Sequence, residues 1–231
     1  MKRFSCLRVL VCVLLIGSMW TVSVFASGKA DTGKTDNRHN THDPGELVSD
    51  WQTALQYLQD GNKRFVANDG IARNTNEKDR GILKDGQKPL AVIVTCADSR
   101  VAPEIYFDQK LGDIFVIRNA GNIADTTVLG SIEYAVEHLQ SPLVVVVGHG
   151  KCGAVTGALS ADHHFPRNLQ TIIDTITSNI TPGSDLDDAI LGNINGNVAR
   201  IKENDIVQET GAQVIGALYN IVSGEVTFFL P

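Results

Sequence analysis

Apolar side chains recur along this chain at two spacings, and the alternation between them organises it. From Trp51 to Asn68 the positions Trp51, Ala54, Leu55, Leu58, Phe65 and Val66 recur near helical spacing behind Asp50, a capping residue type, which predicts an amphipathic helix. Pro89 to Thr95 is a short β-branched run and predicts a buried strand with Cys96 at its carboxyl end. Ile114 to Ile117 predicts a second strand. Thr126 to Leu139 predicts a helix with Val128, Leu129, Ile132, Val136 and Leu139 in one stripe. Pro142 to Val147, almost wholly apolar, reads as a central parallel strand covered on both faces, and a helix follows from about Ala154. Helical patterns run from about Asn168 to Asn204, and Ala212 to Ile221 and Glu225 to Leu230 then read as strands joined at Ser223-Gly224.

Strands alternating with helices predict an α/β fold: a mainly parallel open sheet flanked by helices, with a C-terminal strand pair and preceded by N-terminal helices. Ligands of such sheets bind beyond the carboxyl ends of the strands. At 231 residues the chain is long enough for one core and short for two, so a single domain is expected over residues 51–231.

Polarity changes sharply before that domain. Lys2, Arg3 and Arg8 precede an apolar run from Val9 to Ile16, and small residues close the stretch at Ala26, which is the pattern of a secretory signal peptide over residues 1–26. Gly17, Ser18, Thr21 and Ser23 interrupt the apolar part, so a stable membrane anchor is not expected and the mature chain is expected to be exported, to the periplasm. Residues Ser27 to Asp50 are polar and read as a flexible leader, in which His39 and His42 carry no role. Cleavage removes three of the 20 Lys+Arg and none of the 26 Asp+Glu, which makes the mature chain more acidic than the formal −6. A nucleic-acid or anionic-membrane surface is therefore not expected.

Cys6 and Cys12 leave with the signal, so the mature chain keeps Cys96 and Cys152 alone. Counting alone allows a disulfide between them in an oxidising compartment. The neighbouring residues favour a metal. Cys96-Ala97-Asp98-Ser99-Arg100 and His149-Gly150-Lys151-Cys152 each leave the end of a buried strand, and neighbouring strands would bring two thiolates, an imidazole and a carboxylate to one point. Those are zinc ligand types, and one zinc per chain is expected. A disulfide explains neither His149 nor Asp98.

Gly148, Gly150 and Gly153 also spell a dinucleotide-binding fingerprint, but His163 to Leu169 supplies neither the second strand nor the acid that it needs. The three glycines are read instead as letting backbone approach the metal. Arg100 stands two residues after Asp98, and its planar guanidinium can take both carboxylate oxygens and draw Asp98 off the zinc. Zinc held by two thiolates and one neutral imidazole would then have an open position, where bound water ionises near neutral pH.

With these residues in view, the chain resembles a β-class carbonic anhydrase from about Trp51 to Phe229. The family's Cys-x-Asp-x-Arg and His-x-x-Cys elements stand here as Cys96, Asp98, Arg100 and His149, Cys152. Gly61-Asn62-Lys63-Arg64-Phe65, Ala120-Gly121-Asn122, Glu133-Tyr134-Ala135-Val136 and Val214-Ile215-Gly216-Ala217-Leu218-Tyr219 match as well. The resemblance implies zinc-dependent, reversible hydration of carbon dioxide to bicarbonate and a proton, in a homodimer or higher homo-oligomer whose substrate slot lies at the dimer interface. By position it implies that Gln87 hydrogen-bonds substrate, that Phe115, Ala120 and Tyr134 line the slot, and that Gly153 offers a backbone donor to bicarbonate. On pattern alone Phe115 and Tyr134 are packing residues. One departure is Ile93, where some members carry a tryptophan of a non-catalytic bicarbonate site, so a site of that form is not expected. Two alternatives stay open: hydrolysis of a related heterocumulene such as carbon disulfide or carbonyl sulfide, and a non-enzymatic module in which zinc is structural and Asp98 a permanent fourth ligand.

Overall fold

A computed structural model describes residues 41–43, 45–71, 75–160 and 164–231. The signal segment expected over residues 1–26 and most of the leader lie outside the described residues. The β-branched runs build the centre of a five-stranded sheet. Strands β1 (Ala91–Cys96) and β3 (Leu143–His149) are buried along their whole length and pair in parallel, which leaves Cys96 and His149 at the same edge. Strand β2 (Ile114–Asn119) pairs in parallel outside β1, β4 (Gln213–Tyr219) in parallel outside β3, and β5 (Val226–Phe229) antiparallel outside β4. The order β2-β1-β3-β4-β5 is the expected mainly parallel sheet with a C-terminal strand pair. The chain leaves β1 for one side and returns to the other, and such a switch opens a crevice at the strands' carboxyl ends.

Helices cover both faces. Helix α1 (Trp51–Val66) starts where the Asp50 carboxylate accepts from the Thr53 amide at 2.8 Å. Ala54, Leu55 and Leu58 of its stripe are buried, while Val66 is exposed. The short helix α2 (Glu77–Ile82) precedes β1, and α3 (Pro103–Tyr106) follows it. Gly61 rests against the Phe107 carbonyl so closely that a Cβ would lie 1.7 Å from the oxygen. Asn62 donates to the carbonyls of Tyr106 and Gly224 and accepts from the Val226 amide, while Arg64 Nε donates to Asp108 Oδ2 at 2.7 Å. The Gly-Asn-Lys-Arg-Phe run therefore fastens α1 to the loop after α3 and to the β4–β5 turn.

Further along are α4 (Thr126–Glu133), α5 (Gly153–Leu159), α6 (Arg167–Asn179), α7 (Leu186–Lys202) and α8 (Asp205–Thr210). Helix α7 packs on β3 and β4 through Ile194, which is fully buried. A Cβ on Gly148 would lie 2.6 Å from Ile194, and one on Gly216 2.7 Å from it. Two glycines on neighbouring strands thus make a seat for one isoleucine, whose burial is worth about 1.5–3 kcal/mol. This corrects one expectation: Gly148 makes room for a helix and not for a metal.

Two more expectations change. The helix expected from Thr126 to Leu139 is α-helical only to Glu133 and continues as a π turn, Tyr134–His138. The wider turn keeps Ala135 and Val136 buried while Tyr134 and His138 face outward. The described end of the leader, in turn, is docked. Val48 is in the core and His42 is 2% exposed, because His42 finds partners far away in sequence.

His42 Nδ1 lies 2.9 Å from Asp113 Oδ1, and its Nε2 lies 2.9 Å from the Glu46 carbonyl oxygen. Both partners are acceptors, so both ring nitrogens donate only when the ring is protonated. Around it Lys110 Nζ donates to the His42 carbonyl and to Thr41 Oγ1 and stands 3.8 Å from Asp43, while the Tyr57 ring lies 5.8 Å away. Burial opposes the charge, but the Asp113 hydrogen bond, the Glu46 carbonyl and the charges of both residues outweigh it and raise the pKa of His42. The contribution to docking is therefore full below the unfolded value of about 6.5 and is lost as pH rises through the higher folded value. Amide exchange of residues 45–49, corrected for its intrinsic rate, should be slowest on the acid side of that transition and quicken above it. His42→Gln should remove the dependence, and an unchanged dependence in that variant would assign it elsewhere.

Candidate metal centre

Three donors come together at the carboxyl ends of β1 and β3. Cys96 closes β1, His149 closes β3, and Cys152 follows after a turn whose Lys151 takes a left-handed φ of 56°. The two sulfurs and the imidazole lie within 4.8 Å of one another, all three residues are buried, and neither cysteine is in a disulfide. His149 Nδ1 stands 3.0 Å from the Gly150 carbonyl oxygen, an obligate acceptor, so it carries the hydrogen and Nε2 presents a lone pair. That Nε2 is buried with no hydrogen-bond partner. A lone pair buried without a donor is costly unless a cation takes it. Two soft sulfurs and one imidazole suit zinc, so the residues present fit the ion.

The cluster's own electrostatics agree. Cys152 donates to Cys96, and with smaller help from the Gly121 amide this holds Cys96 well below the usual thiol range against the effect of burial. Cys152 is pushed up by the same hydrogen bond and by burial. The two sulfurs share one hydrogen bond, and a dication that replaced its proton would hold both as thiolates.

Asp98 and Arg100 sit beside the donors. Arg100 Nη2 lies 2.6 Å from Asp98 Oδ2, Arg100 Nε 2.9 Å from Oδ1, and the Arg100 amide also donates to Oδ1 at 2.9 Å. This two-pronged pair holds the Asp98 carboxyl well below the usual carboxylate range, against the effect of burial. Asp98 Oδ2 is still only 4.0 Å from His149 Nε2. The carboxylate is therefore committed to Arg100 while lying next to the metal donors.

Arg118, Asn193 and Asn197, which also hold the site, were not singled out in the sequence. The Ala120–Asn122 turn places the Gly121 amide 3.4 Å from Cys96 Sγ, with Gly121 at a φ of 75°. Helix α7 fixes that turn, since Asn193 Nδ2 donates to the Gly121 carbonyl at 2.8 Å and Asn197 Oδ1 accepts from the Ala124 amide at 2.7 Å. Arg118, on β2, donates to the carbonyls of Cys96 and Asp98. Two polar positions on the buried face of a helix were the available signal for the asparagines.

Of the expected substrate residues, Phe115 and Tyr134 lie side by side with ring centroids 6.3 Å apart, and Tyr134 is 47% exposed. Ala120 begins the turn under Cys96, and Gly153 begins α5 directly after Cys152. Gln87 is exposed in the loop before β1.

Residues 91–226 match the family model described as carbonic anhydrase. A carbonic anhydrase of Mycolicibacterium smegmatis is 40% identical over 186 residues, covering 75% of this chain and 90% of that protein. Carbonic anhydrase 2 of Mycobacterium tuberculosis is 56% identical over 108 residues, covering 47% of this chain and 52% of that protein. Among solved structures, one of two tetrameric β-carbonic anhydrases from Sordaria macrospora superposes with a TM-score of 0.59 at 25% identity, over 76% of this chain and 96% of that one. The Coccomyxa β-carbonic anhydrase in complex with acetazolamide gives a TM-score of 0.59 at 25% identity, over 80% and 88%.

Proposed function

Because this chain belongs to the β-class carbonic anhydrase family, we propose that it hydrates carbon dioxide reversibly to bicarbonate and a proton at the Cys96, His149 and Cys152 cluster, with Asp98 and Arg100 governing access to it. The observation that carries this reading is the buried, unpartnered His149 Nε2 facing two free cysteines, beside a carboxylate that Arg100 keeps occupied. Zinc, one per chain in this reading, supplies the Lewis acidity that turns water into a nucleophile near neutral pH. The chain's own residues do the rest. Cys96, His149 and Cys152 would hold the ion, and the Gly121 amide stabilises charge on the Cys96 sulfur. Arg100 holds the Asp98 carboxylate, so that Asp98 would not occupy the fourth position of a bound ion. A permanent fourth protein ligand would gain nothing from that hold, which disfavours a purely structural zinc.

Gln87, Phe115, Ala120, Tyr134 and Gly153 are assigned to substrate binding by their positions in the family pattern. We place them in a slot completed by a second copy of the chain, a reading supported by the exposure of Tyr134 beside Phe115 in the single chain and of Gln87. We also propose that residues 1–26 are removed and that the mature enzyme works outside the cytoplasm, as the charged, apolar and small-residue order of that segment suggests. No described helix is long and apolar enough to cross a membrane. N-terminal sequencing of exported protein should begin at Ser27, and intact Met1 in a membrane fraction would count against it.

Stopped-flow carbon dioxide hydration by the zinc-loaded chain tests the function. Activity should disappear on chelation and return with zinc. A zinc-replete protein that does not hydrate carbon dioxide would overturn the proposal, and turnover of carbon disulfide or carbonyl sulfide in its place would identify the heterocumulene alternative.

A further inference from the structure

The loop that carries Asp98 is held from outside by the edge strand. As β1 ends, the Ala97 amide donates to the Asn119 carbonyl at 2.9 Å, which continues the β1–β2 ladder by one step. The carbonyls on either side of Ala97 turn to a single side chain: Arg118 Nε donates to the Cys96 carbonyl at 3.1 Å and Arg118 Nη2 to the Asp98 carbonyl at 2.8 Å. Asp98 is therefore held through its main chain by Arg118 and the Val101 amide, and through its carboxylate by Arg100. The Asp98 carbonyl also accepts from the Val101 amide at 3.1 Å, and the planar, charged fork adds a second tie there that links it to the Cys96 carbonyl.

The orientation of the peptide group after Asp98 sets where Arg100 stands relative to the Asp98 carboxylate. That peptide carries the carbonyl that Arg118 holds, and it leads directly to Arg100, whose own amide donates back to Asp98 Oδ1. From this geometry we infer that Arg118 is a positioning residue: it fixes the Cys96–Asp98 loop so that the Asp98 carboxylate stays on Arg100 and off the metal donors. The inference rests on the reading of Asp98 as a displaceable ligand of the metal. Without Arg118 that peptide keeps only the Val101 amide, 3.1 Å from the Asp98 carbonyl, and Oδ2 has only a short distance to travel, since it already lies 4.0 Å from His149 Nε2.

Cobalt(II) substituted for zinc gives an absorption spectrum that reports the metal's ligand set without reference to turnover. Arg118→Ala should keep the metal content of the parent but move the cobalt spectrum toward that of Arg100→Ala, in which Asp98 has lost its other partner. Hydration by the zinc form at neutral pH should fall roughly tenfold, as expected for losing a charged hydrogen bond. Arg118→Lys, which can reach one carbonyl at a time, should recover part of both effects. In an Asp98→Ala background the Arg118→Ala substitution should leave the spectrum unmoved, because no carboxylate remains to shift. An unchanged spectrum in the single variant overturns the inference. So does an equal change with and without Asp98, or a loss of metal, since either would mean that Arg118 acts through Cys96. The spectrum reads ligand exchange even in a parent that hydrates no carbon dioxide, so failure here is distinct from failure of the proposed activity.

Discussion

His149→Ala and Cys152→Ser proteins should be purified without zinc and without carbon dioxide hydration, while β1 and β3 still pair and the far-ultraviolet circular dichroism stays close to that of the parent. The cause is arithmetic on the donor set. Structural zinc sites with four protein ligands bind with about 10–16 kcal/mol, or about 2.5–4 kcal/mol per donor, so losing one donor weakens retention by roughly 70- to 900-fold. Three residues supply the cluster, and none is redundant. The same ions should shield the sulfurs: in zinc-loaded protein neither Cys96 nor Cys152 should react with a thiol reagent, and after chelation both should. Direct metal analysis and mass spectrometry of the labelled chain measure these outcomes. Active protein carrying a Cys96–Cys152 disulfide would refute the metal centre.

Arg100→Ala should lower hydration at every pH, by about ten- to a hundredfold, the usual cost of removing a partner that orients a metal ligand. Its zinc content should be largely kept. The substitution removes both prongs of the pair at 2.6 and 2.9 Å and leaves Asp98 beside the donors with no alternative partner. The ion pair also sets a sign for its own stability: Arg100 holds the pKa of Asp98 below its unfolded value, so the contribution is present above the unfolded value of about 3.9 and is lost as pH falls through the folded one. Full activity of Arg100→Ala near neutral pH would show that Asp98 is not displaced in the way described. Asp98→Ala separates the remaining roles. Loss of zinc would mark Asp98 as a structural ligand, whereas retained zinc with an altered pH profile would mark a displaceable one.

The centre of the sheet was legible because β1 and β3 are buried on both faces, and burial of that kind writes itself as unbroken β-branched runs. Cys96, His149 and Cys152 were legible because the strand ends, together with short spacings, restrict where their side chains can meet. What could not be read depends on partners far away in the chain. His42 looks like any polar leader residue until Asp113 is beside it. Arg118 looks like an ordinary edge-strand arginine, and only the fold brings the carbonyls of Cys96 and Asp98 within its reach. The π turn at Tyr134 was hidden for another reason: an apolar stripe survives one widened turn, so periodicity does not reveal where the spacing slips.

The seat that Gly148 and Gly216 make for Ile194 has a consequence for how this sequence can drift. A methyl group on either glycine would meet the same side chain at 2.6–2.7 Å, so an alanine at either position is tolerable only once residue 194 has become smaller. A smaller residue 194 opposite both glycines leaves a void instead. The three positions behave as a single heritable unit, in which single steps cost stability and compensated pairs recover it, with effects that do not add. Because Gly148 directly precedes His149, that unit adjoins the metal centre, and its permitted combinations are those that leave the end of β3 in place.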